Sequence, residues 1–330
     1  MNTSRFQEVA KGAISVFRPL AVATVAAAFL AATPASAGLI INLSFDGTIA
    51  TNFGANTAAM EAAVNFAAQQ YDNLFSDPIH VNINVSSVSG TSILGQSNTF
   101  INQVTYANLR NAVINDKTSA DDNTVTGAGG DLPAADPVGG NYWVTTAQSK
   151  ALGITADSLS NDGTMTFGAG FTYTFDPNNR AVPGAIDFIG VVEHEMSEVM
   201  GRIGISGGTI GNVTNSYTLL DLYDYSGSGV RHAAGLGGSF SIDNGNTLLK
   251  AFNAVAGGDT RDWASGTNDS YNAFSSSGVK NDISAVDVRE IDAIGYDLAP
   301  SANTPEPSTV LLTLSALLVG VGVRRKLIRG

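Results

Sequence analysis

The residues whose types and spacing could do chemistry lie in the sequence Glu-His-Glu-Met-Ser-Glu, from Glu193 to Glu198. On an α-helix, side chains four residues apart lie on the same face, so His194 and Glu198 can converge on one point. An imidazole and a carboxylate at this spacing can bind Zn²⁺, and Glu195 beside them is placed to act as a general base toward water. The spacing therefore predicts two metal ligands and one catalytic carboxylate.

Two features of the stretch bear on this hypothesis. The usual motif is His-Glu-x-x-His, and here Glu198 replaces the second histidine. The chain has seven glutamates and three histidines, and three of those glutamates fall between positions 193 and 198. A well-formed helix would also favour glutamate over aspartate, so a purely structural helix is the alternative. An apolar stripe supports the helix itself: Phe188, Val192, Met196, Val199 and Ile203.

A third protein ligand must come from outside this helix, because catalytic zinc sites typically use three. Asp221 lies between two leucines in a core-like run, and buried carboxylates usually have a charged partner or a metal. We rank it above His232, which lies in a glycine-rich loop. A surface aspartate at the end of a strand remains an equal alternative for Asp221.

Hydrophobic periodicity predicts the elements that must position these residues. It indicates an α+β domain with a mixed sheet, and an irregular, glycine-rich and asparagine-rich segment before a final helix. The strand predicted at 164–175 could form the wall of a substrate cleft, where an extended peptide would pair with its edge. The predicted strands are 39–45, 79–88 and 164–175, and the predicted helices are 57–75, 104–117, 147–152 and 284–294.

The first 37 residues are typical of a signal peptide. Three basic residues precede an apolar run, and Ala35-Ser36-Ala37 provides the small residues that signal peptidase requires. We expect cleavage before Gly38 and export of the protein. The chain has no cysteine, which excludes disulfides and thiolate metal sites.

Residues 305–330 form a second targeting segment. The sequence Thr-Pro-Glu-Pro-Ser is followed by an apolar run and then by Arg324, Arg325 and Lys326. This tripartite tail resembles the PEP-CTERM sorting signal of Gram-negative bacteria. The resemblance implies transient anchoring in the inner membrane, processing by an exosortase-type machinery, and delivery to the cell surface or extracellular matrix. An ordinary tail anchor is the alternative.

The charge of the chain limits its partners. The two terminal segments carry seven basic residues and two acidic ones, so the net charge falls from −12 for the whole chain to about −17 for residues 38–304. Such a surface makes nucleic acid a poor partner and favours divalent cations. Residues 243–246 and 257–262 could offer oxygen ligands to Ca²⁺, although turns are the favoured interpretation.

The central helix and several later segments resemble a group of PEP-CTERM-bearing, zincin-like bacterial proteins regarded as metalloproteases. The similarity includes residues 187–202, 220–226, 229–231, 240–245, 262–264 and 287–296. It implies a zincin-like fold that is distantly similar to the metzincins. Against the metzincin motif, His194, Glu195 and Gly201 match, whereas Glu198 and Gly204 replace the second and third histidines.

These observations lead to one main functional prediction and two alternatives. The main prediction is an exported zinc endopeptidase that hydrolyses peptide or protein substrates, with His194, Glu198 and Asp221 as ligands and Glu195 as base. The first alternative is a zincin-like protein without turnover that binds at the cell surface or in the matrix. The second is a calcium-dependent adhesin.

Overall fold

The computed structural model describes residues 38–300. The predicted signal peptide and sorting tail lie outside these residues. The described part combines helices with three four-stranded sheets and one two-stranded sheet, which confirms the mixed α+β class. No helix in this part of the chain is both long enough and apolar enough to cross a membrane.

The helices of the described part agree with the periodicity at most positions. In chain order they are α1 (Gly47–Phe53), α2 (Thr57–Leu74), α3 (Tyr106–Asp116), α4 (Ala120–Thr126), α5 (Thr146–Ala151), α6 (Phe188–Met200) and α7 (Ala285–Ala293).

The strands are shorter and more numerous than the sequence predicts. They are β1 (Ile40–Phe45), β2 (His80–Val88), β3 (Gly95–Thr99), β4 (Ile101–Val104), β5 (Asn141–Thr145), β6 (Gly163–Gly168), β7 (Tyr173–Thr174), β8 (Ile186–Asp187), β9 (Gly208–Ile210), β10 (Val213–Tyr217), β11 (Asp224–Gly227), β12 (Val230–Arg231), β13 (Ser239–Phe240) and β14 (Lys250–Ala251).

The first sheet has the strand order β1-β2-β6-β3. Strands β1, β2 and β6 are parallel, and β3 pairs antiparallel with β6 at the edge. Apolar side chains alternate onto one face, where Val81, Ile83 and Met165 are buried beside helices α2 and α6. The alternation explains why β1 and β2 could be predicted: one face of each strand is buried and the other is polar.

Helix α6 lies beneath this sheet and is buried on nearly all sides. Its N-terminal end is fixed by Asp187, whose carboxylate accepts hydrogen bonds from Arg180 Nε at 2.9 and 3.0 Å and from Asn281 N at 2.9 Å. The helix ends at Gly201, whose φ of 125° favours glycine. The polar face that the sequence predicts is therefore covered by other parts of the chain.

The strand predicted at 164–175 ends early. Strand β6 stops at Gly168 because the chain there lies against another backbone segment: a Cβ at Gly168 would be 2.1 Å from Ile93 O. Strand β6 is also an inner strand, so its edges already pair with β2 and β3. The prediction that this strand offers its edge to a substrate is therefore wrong, because the strand at the edge of the sheet is β3.

The beginning and the end of the described chain meet beside the end of α2. A Cβ at Gly38 would lie 3.7 Å from Phe75 O. Phe75 also forms a bridge with Leu298, and Ser76 N donates to Asp297 O at 2.8 Å. Between β14 and α7 the chain forms isolated bridges and turns.

Candidate metal centre

His194 is the most solvent-exposed residue of α6. Its imidazole is oriented by the loop that follows β14. The Nδ1 atom lies 2.9 Å from the carbonyl oxygen of Ser270. A carbonyl can only accept, so Nδ1 carries the proton in this contact. In the neutral ring this leaves the lone pair on Nε2 free, which is the arrangement in which a histidine binds a metal.

Two carboxylates face the Nε2 atom of His194. Glu198 Oε1 lies 3.5 Å away, as the i, i+4 spacing on the helix predicts, and Asp262 Oδ1 also lies 3.5 Å away. Within residues 38–300, these three are the one group of His, Asp or Glu residues whose ligand atoms all lie within 4.8 Å of each other. This group could hold a metal ion.

Arg202 lies behind the two carboxylates at the end of the same helix. Its Nη1 atom donates to Asp262 Oδ1 at 2.7 Å, and its Nη2 atom lies 3.6 Å from Glu198 Oε1. The guanidinium is fully buried and lies 4.4 Å from the centre of the Tyr271 ring. Arg202 thus holds the Asp262 carboxylate by a hydrogen bond and offsets part of the charge of both carboxylates.

Glu195 lies beside this group, against the first residue of strand β3. A Cβ at Gly95 would lie 2.3 Å from Glu195 Oε1, so the approach of the strand depends on glycine. Strand β3 also reaches Glu198, whose Oε2 accepts a hydrogen bond from Ser97 Oγ at 2.7 Å. The edge strand and the helix therefore position both acids together.

A cavity of about 250 Å³ opens over these residues. Strand β3 lines one side, and the glycine-containing loop 257–262 lines the other. Partial burial and the charges of Glu198 and Asp262 raise the pKa of Asp259 in this loop to about 6. The side chains of His194, Glu195 and Glu198 line the same cavity, so they are accessible to a ligand.

The charges at the site shift three pKa values. Burial acts to lower the pKa of His194, but the carboxylates of Asp262 and Glu198 outweigh it and raise this pKa to about 10. Burial acts to raise the pKa of Glu198, yet its contacts with His194, Arg202 and Ser97 lower it. Burial and the neighbouring Glu198 raise the pKa of Glu195 well above its usual value. The two glutamates are thus pushed in opposite directions.

The structure does not bring Asp221 to this group. Its Oδ2 atom accepts backbone N–H hydrogen bonds from Ile205, Ser206 and Thr218 at 2.8 to 3.0 Å, and its Oδ1 accepts from Arg261 Nε at 2.8 Å. A buried carboxylate needs such partners, and Arg261 meets the need that the sequence analysis assigned to a metal. Asp262 replaces Asp221 as the third candidate ligand.

The other residues considered as ligands also have partners elsewhere. His232 Nδ1 lies 2.9 Å from Asp224 Oδ2, which in turn lies 3.0 Å from Arg261 Nη1. Asp243 Oδ1 accepts from Ser241 Oγ at 2.9 Å and from Thr247 N at 2.7 Å, which is the hydrogen bonding of a turn. Residues 257–262 supply Asp262 to the candidate metal group, together with the nearby Asp259.

Sequence reasoning missed the residues that complete the site. Asp262 entered it as part of a turn or calcium segment and of the family resemblance, but not as a ligand to the helix, although it stands between Arg261 and the buried Trp263. A carboxylate next to a core tryptophan was the available signal. Ser97 and Arg202 gave no comparable signal, because their contacts with Glu198 depend on the tertiary fold.

Comparison with known proteins identifies a known motif at the C-terminus of the chain. Residues 303–326 match the model of the PEP-CTERM protein-sorting motif. The tail carries a PEP-CTERM motif. This confirms the predicted sorting signal, and the motif implies export, recognition by an exosortase and transient membrane anchoring through the C-terminus. Searches of curated proteins and of solved structures found no similar chain.

Proposed function

We propose that this protein is an exported zinc endopeptidase with a zincin-like fold. His194, Glu198 and Asp262 would hold the ion, and Glu195 would act as the general base. The observation that carries the proposal is the convergence of the three ligand atoms at the floor of an open cavity, next to a buried carboxylate.

The spacing of the three groups supports zinc. Nitrogen and oxygen ligands about 2.1 Å from a tetrahedral Zn²⁺ lie about 3.4 Å from each other. The two separations of 3.5 Å from His194 Nε2 are close to this value. The carbonyl of Ser270 fixes the imidazole, and Ser97 and Arg202 orient the carboxylates, so each candidate ligand has a supporting contact.

The chain's own residues suggest how a peptide would be hydrolysed. Zn²⁺, when bound, would polarise the scissile carbonyl and acidify a water molecule. Glu195 would accept the proton of that water on its carboxylate and deliver it to the leaving amine, a role for which a raised pKa is suitable. The free edge of strand β3 would bind the substrate backbone in an extended conformation.

One observation favours a second function. Without an ion, a protonated His194 and Arg202 would balance the charges of Glu198 and Asp262, so the group is electrically neutral without a metal. The alternative is therefore a zincin-like protein of the cell surface or matrix that binds a peptide or protein partner without cleaving it.

Metal content and cleavage distinguish these functions. For the endopeptidase we expect about one zinc per full chain by mass spectrometry, no zinc in His194→Ala, and retained zinc in Glu195→Gln. Glu195→Gln should also reduce peptide cleavage by about 10³-fold. Wild-type protein that stays free of metal after zinc is added would refute the zinc site, and undiminished cleavage by Glu195→Gln would refute the proposed base.

A further inference from the structure

A second cavity of similar size shares part of its lining with the cavity over the candidate metal centre. The second cavity, also about 250 Å³, lies between the end of strand β3 and residues 202–204. Four residues line both cavities: Ser97, Glu198, Asp259 and Asp262. Asp259 is therefore close to a ligand in either cavity.

Asp259 differs from Glu198 and Asp262 in having no Lys, Arg or His side chain of the described residues within ion-pair distance. Glu198 and Asp262 both lie near His194 and Arg202. Across residues 38–300, by contrast, no Lys, Arg or His side chain lies within 4.0 Å of the Asp259 carboxylate, which also accepts no hydrogen bond. An exposed carboxylate at the wall of a cleft with no cation beside it is suited to pair with a cationic ligand group.

The backbone that carries Asp259 is held in place. Asn253 is buried, and its Nδ2 atom donates to Asp259 O at 3.1 Å and to Val255 O at 2.9 Å. A Cβ at Gly258 would lie 2.8 Å from the same Nδ2 atom, so the loop packs tightly on this side chain. The backbone of Asp259 is thus held in place before a ligand binds.

A second, independent acceptor points to the same kind of ligand. Asn272 lines the first cavity, is 6 % exposed, and donates its Nδ2 hydrogen to Thr267 O. Its Oδ1 atom is buried and has no hydrogen-bond donor in the described part of the chain. A buried carbonyl oxygen without a donor is costly, and an N–H group of a ligand would satisfy it. No Lys or Arg of the described chain lines this first cavity, whereas Arg202 and Arg261 line the second.

We propose that the cleft selects polypeptides with a lysine or arginine side chain close to the bond over the metal centre, with Asp259 as the counter-ion. The selection of a basic side chain deepens the proposed function and rests on it for the cleavage step. The cationic head would contact Asp259 from the first cavity, and an N–H donor of the bound segment would pair with Asn272 Oδ1 once that side chain turns toward the ligand.

A pair of peptides that differ in one charge tests this proposal. The peptides carry either lysine or acetyl-lysine at the position under test, which removes the charge and keeps the aliphatic chain. Their binding to the full chain with Glu195→Gln is measured by fluorescence anisotropy, and their cleavage is measured with the wild type. We expect the lysine peptide to be favoured about fivefold in both assays.

Two variants assign the preference to one residue. Asp259→Asn should reduce the ratio to about one, and thermal unfolding should show the fold intact because the Asp259 side chain makes no hydrogen bond or ion pair within the described residues. Asp176→Asn is the matched control: it removes an exposed carboxylate from a turn that lies outside both cavities, and it should keep the ratio.

The outcomes separate this inference from the endopeptidase proposal. Equal use of the two peptides, binding of neither, or an unchanged ratio in Asp259→Asn would overturn the inference. A binding preference without any cleavage would support it and refute the endopeptidase. Cleavage without a preference would leave the endopeptidase and remove the role of Asp259.

Discussion

Asp221 Oδ1 accepts a hydrogen bond from Arg261 Nε at 2.8 Å. Asp262, which follows Arg261 in the sequence, faces His194. The side chains of Asp221 and Arg261 are both almost fully buried. The two aspartates that compete for the role of third ligand therefore have different tasks. Asp221 fixes the backbone that carries Asp262, and Asp262 supplies the carboxylate.

Exchange of each aspartate for asparagine separates these tasks. Asp262→Asn should lose zinc, because an amide is a much weaker ligand than a carboxylate. Asp221→Asn should keep about one zinc while its free energy of unfolding falls by about 3 kcal/mol, since Arg261 loses a buried partner. Zinc content by mass spectrometry and urea denaturation measure the two effects. A folded Asp221→Asn without zinc, beside a zinc-loaded Asp262→Asn, would restore Asp221 as the ligand.

Gly95 is predicted to position Glu195. In Gly95→Ala the new Cβ would lie 2.3 Å from Glu195 Oε1 and 2.8 Å from Val191 Cγ1, so the glutamate must move. We expect peptide cleavage to fall by about 10²-fold, with zinc retained and the free energy of unfolding changed by less than about 1 kcal/mol. Gly47→Ala is the control, because a Cβ there meets nothing within 4 Å. Wild-type kcat in Gly95→Ala would show that the close approach has no catalytic role.

The stability of the fold should depend on pH through Asp116. Burial raises its pKa to about 8, with further contributions from Asp297, Asp77, Asp122 and Asp292. Asp116 is also the last residue of α3, where a negative charge opposes the helix dipole. Because the folded state holds this proton more tightly than the unfolded chain, the associated stability is present at pH 4 and is lost as the pH rises to 8.

Asp116→Asn should remove most of this dependence. After allowance for solvent screening, we expect the stability difference between pH 5 and pH 8 to shrink by about 1 kcal/mol relative to the wild type. Urea denaturation at both pH values and at constant ionic strength measures the difference. A variant with the same pH dependence as the wild type would exclude Asp116 as its source.

Local patterns were sufficient to predict much of the fold. Helix α2 was predicted at 57–75 and found at Thr57–Leu74, and strand β2 was predicted at 79–88 and found at His80–Val88. Both have an apolar side that recurs with the period of the element, so the prediction needed no tertiary information.

The elements that the sequence analysis missed lack this periodicity. Strand β3 reads Gly-Gln-Ser-Asn-Thr and has no apolar face, because its environment is the edge of a sheet and the roof of a cleft. Helix α4 lies between the helices predicted at 104–117 and 147–152, where the sequence analysis predicted no element. Its sequence signal was the capping box of Ser119 and Asp122, in which each residue's side chain accepts a hydrogen bond from the other's backbone N–H.

The candidate site shows the same division. His194 and Glu198 could be paired from their spacing on one helix. Asp262 could not be chosen over Asp221, because the partner of Asp221 is Arg261, forty residues further along the chain. Local sequence shows that a buried carboxylate needs a cation, but only the fold decides whether an arginine or a metal ion supplies it.

The meeting of Gly38 and Leu298 beside Phe75 has a mechanical consequence. A force applied to the two ends of the described chain would act between these two neighbouring points. Such tension would first strain the short bridge between Phe75 and Leu298 and the hydrogen bond from Ser76 to Asp297. The hydrogen bonds that join β3 to β6 would then bear load only after this contact had opened, so the strand beside the cleft would be shielded from pulling at either end.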